Sequence, residues 1–292
     1  MPTAKVNGVN LYYEVIGEGF PLVLSHEFGG GYQSWDHQVK TFSGHYRVIT
    51  YNHRGFPPSE VPEDPAAYSQ EELVEDLHQL LHHLGIRQAH ICGLSLGGNV
   101  ALNFGIAHPE MARALVVAAT GSGSTDRERF EVELEQVAQR FQTQGVEAVA
   151  RSYTKGPARV QLLRKDPEGW QEFYEGFANH SATGSAHILR GVILQRPTIF
   201  ALQPKLQQLS VPTLIMTGDE DDPCVEPAIF MKRNIPGSGL AVFPQSGHAI
   251  NLEEPDLFNS MVLDFLALVE AGNWAVRQPQ QSRASAFHTG DK

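Results

Sequence analysis

Apolar positions along the chain fall into short runs and stripes whose period changes from one segment to the next. Val6, Val9, Leu11, Tyr13 and Val15 follow a period of two around Asn7-Gly8, a favoured two-residue turn, which predicts an N-terminal β-hairpin. Pro21–Ser25 is a short continuous apolar run and Arg47–Tyr51 reads as another short buried strand, and each leads into a loop rich in glycine or proline. Ser69 with Glu72 three residues later has the spacing of a capping box. The helix it starts carries Leu73, Leu77, Leu81 and Leu84 on one face and ends at Gly85. His90–Cys92 reads as a strand, 96–107 as a helix and Leu115–Ala118 as another strand. Strands alternating with helices require crossover connections, so the sheet should be mostly parallel.

The rhythm changes near Gly121. Residues 126–206 hold no clear strand and read as amphipathic helices, best defined over Arg127–Gln142 and Gln171–Asn179. Alternation resumes at Pro212–Thr217 and Leu240–Phe243, and a last helix runs from Pro255 to about Glu270. This organisation divides the chain into a first core part (1–124), a helical insert (125–207), a second core part (208–272) and a polar tail (273–292) expected to be disordered.

Composition narrows the function. The formal charge of −11 lacks the basic stripe that nucleic-acid binding needs. No apolar run is long enough to span a bilayer, so no membrane partner is expected. The N-terminus has no export-type apolar stretch with a cleavage site. Two cysteines, Cys92 and Cys224, suit a reducing compartment, and a cytoplasmic location is expected.

The strongest chemical signal is Gly93-Leu94-Ser95-Leu96-Gly97, set between a strand and a helix. Glycines two residues to either side let strand and helix approach closely, so the serine hydroxyl can project from a tight, strained turn. The helix that follows aims N–H groups at developing negative charge. A Gly/Ser-rich turn without chemistry is the plain alternative. His78 and His82 share one helix face at metal-ligand spacing, but Gln79 stands where a zinc protease has glutamate. With no third ligand evident, a solvated helix face is the reading here. The Gly29–Gly31 run lacks the lysine and helix context of a phosphate loop, and Cys92 reads as a small core residue.

With these residues in view, the chain resembles the α/β-hydrolases from the hairpin to about residue 270. Ile91–Gly98 is similar to the serine elbow of enol-lactone hydrolases and related esterases. The resemblance implies an α/β-hydrolase fold: a mostly parallel eight-stranded sheet, helices on both faces, and a helical cap inserted after the sixth strand. It also implies a triad in chain order. Gly218-Asp-Glu-Asp221 matches the family's acid loop and Gly247-His248 its histidine loop, giving Ser95 as nucleophile, His248 as base and Asp221 as acid. Asp219, Asp222 and Asp126 stay open as alternative acids.

The oxyanion donors implied are the backbone N–H groups of Leu96 and Phe28. Here the sequence departs from the family, because Glu27 stands where a glycine is usual; it either caps local backbone or makes a structural ion pair, or it shapes rate and substrate choice. Asn52 replaces the common aspartate in the supporting loop, and His26 reads as structural. In the insert, Phe173, Tyr174, Phe177, Ile188, Val192, Ile193 and Leu194 read mostly as its own core. His180, His187, Arg190 and Arg196 are polar candidates for substrate contact.

The activity implied is hydrolysis of a small carboxylic ester or lactone through an acyl-serine, with no cofactor and no metal. C–C hydrolysis of vinylogous diketones by the same triad is the first rival, and a hydrolase-fold ligand receptor is the second. The expected partner is the small-molecule substrate, with a homodimer allowed. An anionic substrate would need a compensating cation from the insert.

Overall fold

A computed structural model describes residues 2–276. The hairpin joins β1 (Thr3–Val6) to β2 (Val9–Ile16) through Asn7 and Gly8, whose φ values of 45° and 79° match the twist of the strands. Then follow β3 (Pro21–Ser25), α1 (Asp36–Phe42), β4 (Arg47–Tyr51), α2 (Gln70–His83), β5 (Ala89–Leu94), α3 (Leu96–Ala107) and β6 (Ala112–Ala118). Five helices come next: α4 (Arg127–Gln144), α5 (Val146–Tyr153), α6 (Val160–Lys165), α7 (Pro167–Ala178) and α8 (Ala182–His187). A π-helical turn over Ile188–Ile193 and α9 (Gln203–Gln208) lead back to the sheet. The chain finishes with β7 (Thr213–Gly218), α10 (Asp222–Asn234), β8 (Ser238–Phe243), α11 (Ile250–Glu253) and α12 (Pro255–Glu270).

The eight strands form one sheet in the order β1-β2-β4-β3-β5-β6-β7-β8. The pairs of β2 with β1 and with β4 are antiparallel, and all others are parallel. Alternate residues of each strand point to opposite faces. Val23, Ile49, Ile91, Leu115, Val117 and Ile215 pack with α2, α3 and α10, whereas Leu22, Leu24, Val48, Cys92, Leu94 and Val116 pack with α1 and α12. Cys92 is fully buried in the second layer. Phe141, Val149, Phe177, Ile188 and Val192 of the insert belong to the same buried cluster as Phe28 and Phe56, so the insert and the loops above the sheet share one core.

Two local expectations change. The Ser69 hydroxyl accepts from Glu72 N–H at 3.1 Å, but the Glu72 carboxylate takes Asn7 Nδ2 at 2.9 Å and Arg54 Nη1 at 3.0 Å instead of closing the box. Arg54, buried, also donates to both oxygens of fully buried Asp76, at 2.7 and 2.5 Å. A tertiary ion pair therefore outcompetes the local cap. At the far end, Trp274 donates to Gly237 O at 2.8 Å and packs on Phe265, so the expected tail begins with a docked side chain. Residues 277–292 of that tail lie outside the described residues. Among the described residues, no helix is long and apolar enough to cross a membrane.

Candidate active site

From Ala89 to Leu102 every residue is buried except Ser95. Ser95 has φ 55° and ψ −108°, a strained conformation for a residue with a side chain. Its glycine neighbours explain how the turn closes. A Cβ on Gly93 would lie 2.1 Å from Gly97 O, and one on Gly97 would lie 1.9 Å from Ser25 O. These contacts press the start of α3 against the end of β3, bringing the loop after Ser25 beside the serine. Leu96 is the first residue of α3, so its N–H has no acceptor within the helix.

His248 Nδ1 lies 2.8 Å from Asp221 Oδ2, and both side chains are buried. That bond occupies Nδ1 and leaves Nε2 as the nitrogen able to take a proton. The alternative acids sit elsewhere: Asp222 is exposed, exposed Asp219 accepts from Ser246 N–H, and exposed Asp126 caps α4 through Arg129 N–H. The backbone around His248 is braced from two sides. Glu253 accepts from Gly247 N–H at 2.7 Å and from Ala249 N–H at 3.0 Å. His248 N–H donates to Ala158 O of the insert at 2.7 Å. Cys224, at the start of α10, stands beside the pair, and donor atoms of Asp221, Cys224 and His248 lie within 4.8 Å of one another. Burial, then the Asp221 charge, pushes the Cys224 thiol well up, so it is a neutral group.

The loop after β3 holds Glu27, which is 1% exposed. Its two oxygens are bound by Arg159 of the insert, one by Nη1 at 3.2 Å and the other by Nη2 in a shorter contact. Arg159 Nη2 also donates to Tyr153 Oη at 2.7 Å, and its guanidinium stacks on Tyr153 with Phe173 nearby. Burial alone would raise the Glu27 carboxyl. The Arg159 charge and hydrogen bonds, with smaller help from His248 and the Gly29 amide, bring it below its ordinary value. Glu27 is thus an anion whose charge Arg159 balances.

His26 is held as a neutral ring: Nδ1 donates to Glu27 O at 2.7 Å and Nε2 accepts from His53 N–H at 3.1 Å. Burial pushes it down to about 4. Phe28 is buried among Phe56, Phe141, Tyr153 and Phe177. Asn52 accepts from Tyr32 N–H at 2.7 Å and donates to Pro57 O at 2.7 Å. An amide can do both, which an aspartate could not, so this departure ties the two loops together.

The polar candidates of the insert scatter. His180 packs between Phe56 and Phe177, His187 lies against Tyr68, and Arg190 pairs with Glu135 at the surface. Arg196 is buried and donates to Ser122 O. Arg159, Tyr153, Glu253 and Cys224 were missed in the sequence. Glu27 itself was the available signal for Arg159, because a buried carboxylate demands a cation. A cavity of about 400 Å³ lies between the glycine-rich loop and α7, with Gly29, Gly30, Asp36, Glu172, Phe173 and His180 in its wall. Ser95, Asp221 and His248 are not among its lining residues. Phe173 joins it to the site, since its ring tip would lie 2.9 Å from a Cβ on Gly29 and the same ring faces Arg159.

The fold and these loops define an α/β-hydrolase, and the alpha/beta hydrolase fold family matches residues 21–255; the chain belongs to that family. It is an α/β-hydrolase enzyme by the company it keeps. It is 28% identical over 277 residues to a putative carbamate hydrolase of Azorhizobium caulinodans, covering 92% of this chain and 100% of that one. It is 28% identical over 263 residues to 3-oxoadipate enol-lactonase 2 of Acinetobacter baylyi, covering 89% and 94%. The solved enol-lactonase from Burkholderia xenovorans LB400 matches with a TM-score of 0.80 at 26% identity, over 91% of this chain and 100% of that chain.

Proposed function

We propose that the protein is a serine hydrolase that cleaves a small carboxylic ester or lactone through an acyl-serine intermediate. The observation that carries this reading is the His248–Asp221 bond of 2.8 Å, with Asp221 following β7 and Ser95 held on a strained turn after β5, at the same C-terminal edge of the parallel sheet. In this mechanism His248 Nε2 takes the Ser95 Oγ proton as the oxygen attacks the carbonyl carbon. Asp221 holds the Nδ1–H tautomer and stabilises the imidazolium. The N–H groups of Leu96 and Phe28 receive the oxyanion. The imidazolium then protonates the leaving alkoxide, and water activated by His248 hydrolyses the acyl-serine.

Charge supports a neutral or cationic substrate. Arg159 is consumed by Glu27, and the wall of the cavity carries Asp36, Asp166, Glu172 and Glu175 but no lysine or arginine. We take that cavity as the route in, with Phe173 at its inner end. The two cysteines are free and buried, which supports a reducing compartment and a cytoplasmic location.

The test is labelling with a fluorophosphonate probe and peptide mapping, alongside turnover of short p-nitrophenyl esters, a lactone panel, carbamates and a vinylogous diketone. Label on Ser95, and ester or lactone turnover abolished by Ser95→Ala, is the expected result. Folded protein that leaves Ser95 unlabelled removes the proposal. Preferential cleavage of the diketone would make it a C–C hydrolase instead, and tight ligand binding without turnover would make it a receptor.

A further inference from the structure

The histidine pair on α2 gains in three dimensions the partners that its sequence lacks. His108, the residue that ends α3, stacks on His78 with ring centroids 4.0 Å apart and planes 7° from parallel. His78 Nε2 lies 3.1 Å from His82 Nε2, and His78 Nδ1 lies 3.2 Å from Glu75 Oε2. Donor atoms of Glu75, His78 and His108 all fall within 4.8 Å of one another, and all three residues are half-buried. His78 is the hub, touching each of the other three.

We propose that Glu75, His78 and His108 form a binding site for a divalent transition metal of the zinc class, with His82 on the outer ring nitrogen of His78. Imidazole and carboxylate are the donors such ions prefer, at bonds of about 2.0–2.2 Å, which places donors about 3.4 Å apart around a tetrahedral centre. His78 Nδ1 and Glu75 Oε2, 3.2 Å apart, already stand near that separation. The stacked His78 and His108 rings must turn to aim at a shared ion, a side-chain rotation that half-buried positions allow. His82, 3.1 Å from the other nitrogen of His78, supplies the hydrogen-bonding neighbour that sets the tautomer of a ligating imidazole. Because Glu75, His78 and His82 belong to α2 and His108 ends α3, a bound ion would clip the two helices together at the end of α3 away from Ser95. It should therefore affect stability and leave turnover unchanged.

A second group of donors, Asp221, Cys224 and His248, belongs to the catalytic site, so the experiment must separate the two. Chelator-treated full-length protein is titrated with Zn²⁺ by calorimetry, and with Co²⁺ to read the visible bands of histidine ligation. Wild type should bind one equivalent at micromolar affinity. His78→Ala and His108→Gln should each weaken binding by at least about tenfold, whereas Cys224→Ala should not. Zinc at a hundredfold excess over Kd should raise Tm by about 4 °C in wild type and not in His78→Ala. Melting in chelator checks that each variant folds, and the two variants lie on different elements. Equal binding by wild type and both histidine variants overturns the site. So does absence of saturable binding, or binding lost in Cys224→Ala and kept in His78→Ala.

Discussion

Glu27 and Arg159 join the loop after β3 to the helical insert through a pair that is almost wholly shielded from water, with 1% and 7% exposure. Replacing Glu27 by Gln leaves Arg159 charged, buried and facing a neutral amide. Replacing Arg159 by Met strands the carboxylate. Loss of one partner from a buried pair costs about 3–5 kcal/mol. The entropy of unfolding of a chain this long is about 0.6 kcal/mol per degree, so each single variant should melt about 5–8 °C lower. Replacing both removes the stranded charge, and the double variant should lose clearly less than the sum of the singles, with a coupling of about 2 kcal/mol or more. Thermal and denaturant unfolding of the four proteins at neutral pH measures this. Single variants that each cost under about 1 kcal/mol and add without coupling would refute a buried, mutually dependent pair. Turnover read on the same proteins reports a second consequence. The pair fixes the loop that carries Phe28, so kcat should fall in both single variants and recover in part in the double one.

Three further outcomes follow from other contacts. Gly97→Ala forces a Cβ to 1.9 Å from the Ser25 carbonyl oxygen, and backbone on both sides prevents relief, so soluble yield or probe labelling of Ser95 should collapse; normal labelling would contradict the packing of the elbow. Glu253→Gln replaces one of two acceptors beside His248 with an amide donor, which should cost about 1–3 kcal/mol and lower kcat, as seen in unfolding and steady-state assays. His26 titrates at about 4 when folded and near 6.5 when unfolded, so between those values the unfolded chain holds the extra proton. Stability is therefore lost as pH falls through that window, by about 3 kcal/mol from this residue, and His26→Gln should flatten the pH dependence of unfolding.

Much of the fold was legible from local pattern. Pro21–Ser25, Arg47–Tyr51 and the last helix from Pro255 to Glu270 lie where the apolar runs put them, because buried parallel strands are short and continuously apolar. Gly93 and Gly97 announced a close approach of backbones that the structure contains. The insert was harder to resolve. Phe177, Ile188 and Val192 read as a private core but pack with Phe28 and Phe56, since an amphipathic face does not name the surface it covers. Glu72 was assigned to a local cap, yet Arg54 and Asn7 claim its carboxylate from distant parts of the chain.

By itself the sequence determined the alternation of strands and helices, the tight turn at Ser95 and the loops that carry Asp221 and His248. Each of these depends on residues close together in the chain. Tertiary structure alone decided which cation meets Glu27, which carboxylate braces the amides around His248, and that His108 faces His78. Those pairs join residues that only chain crossing brings together, and burial, rather than any local preference, makes each partner necessary.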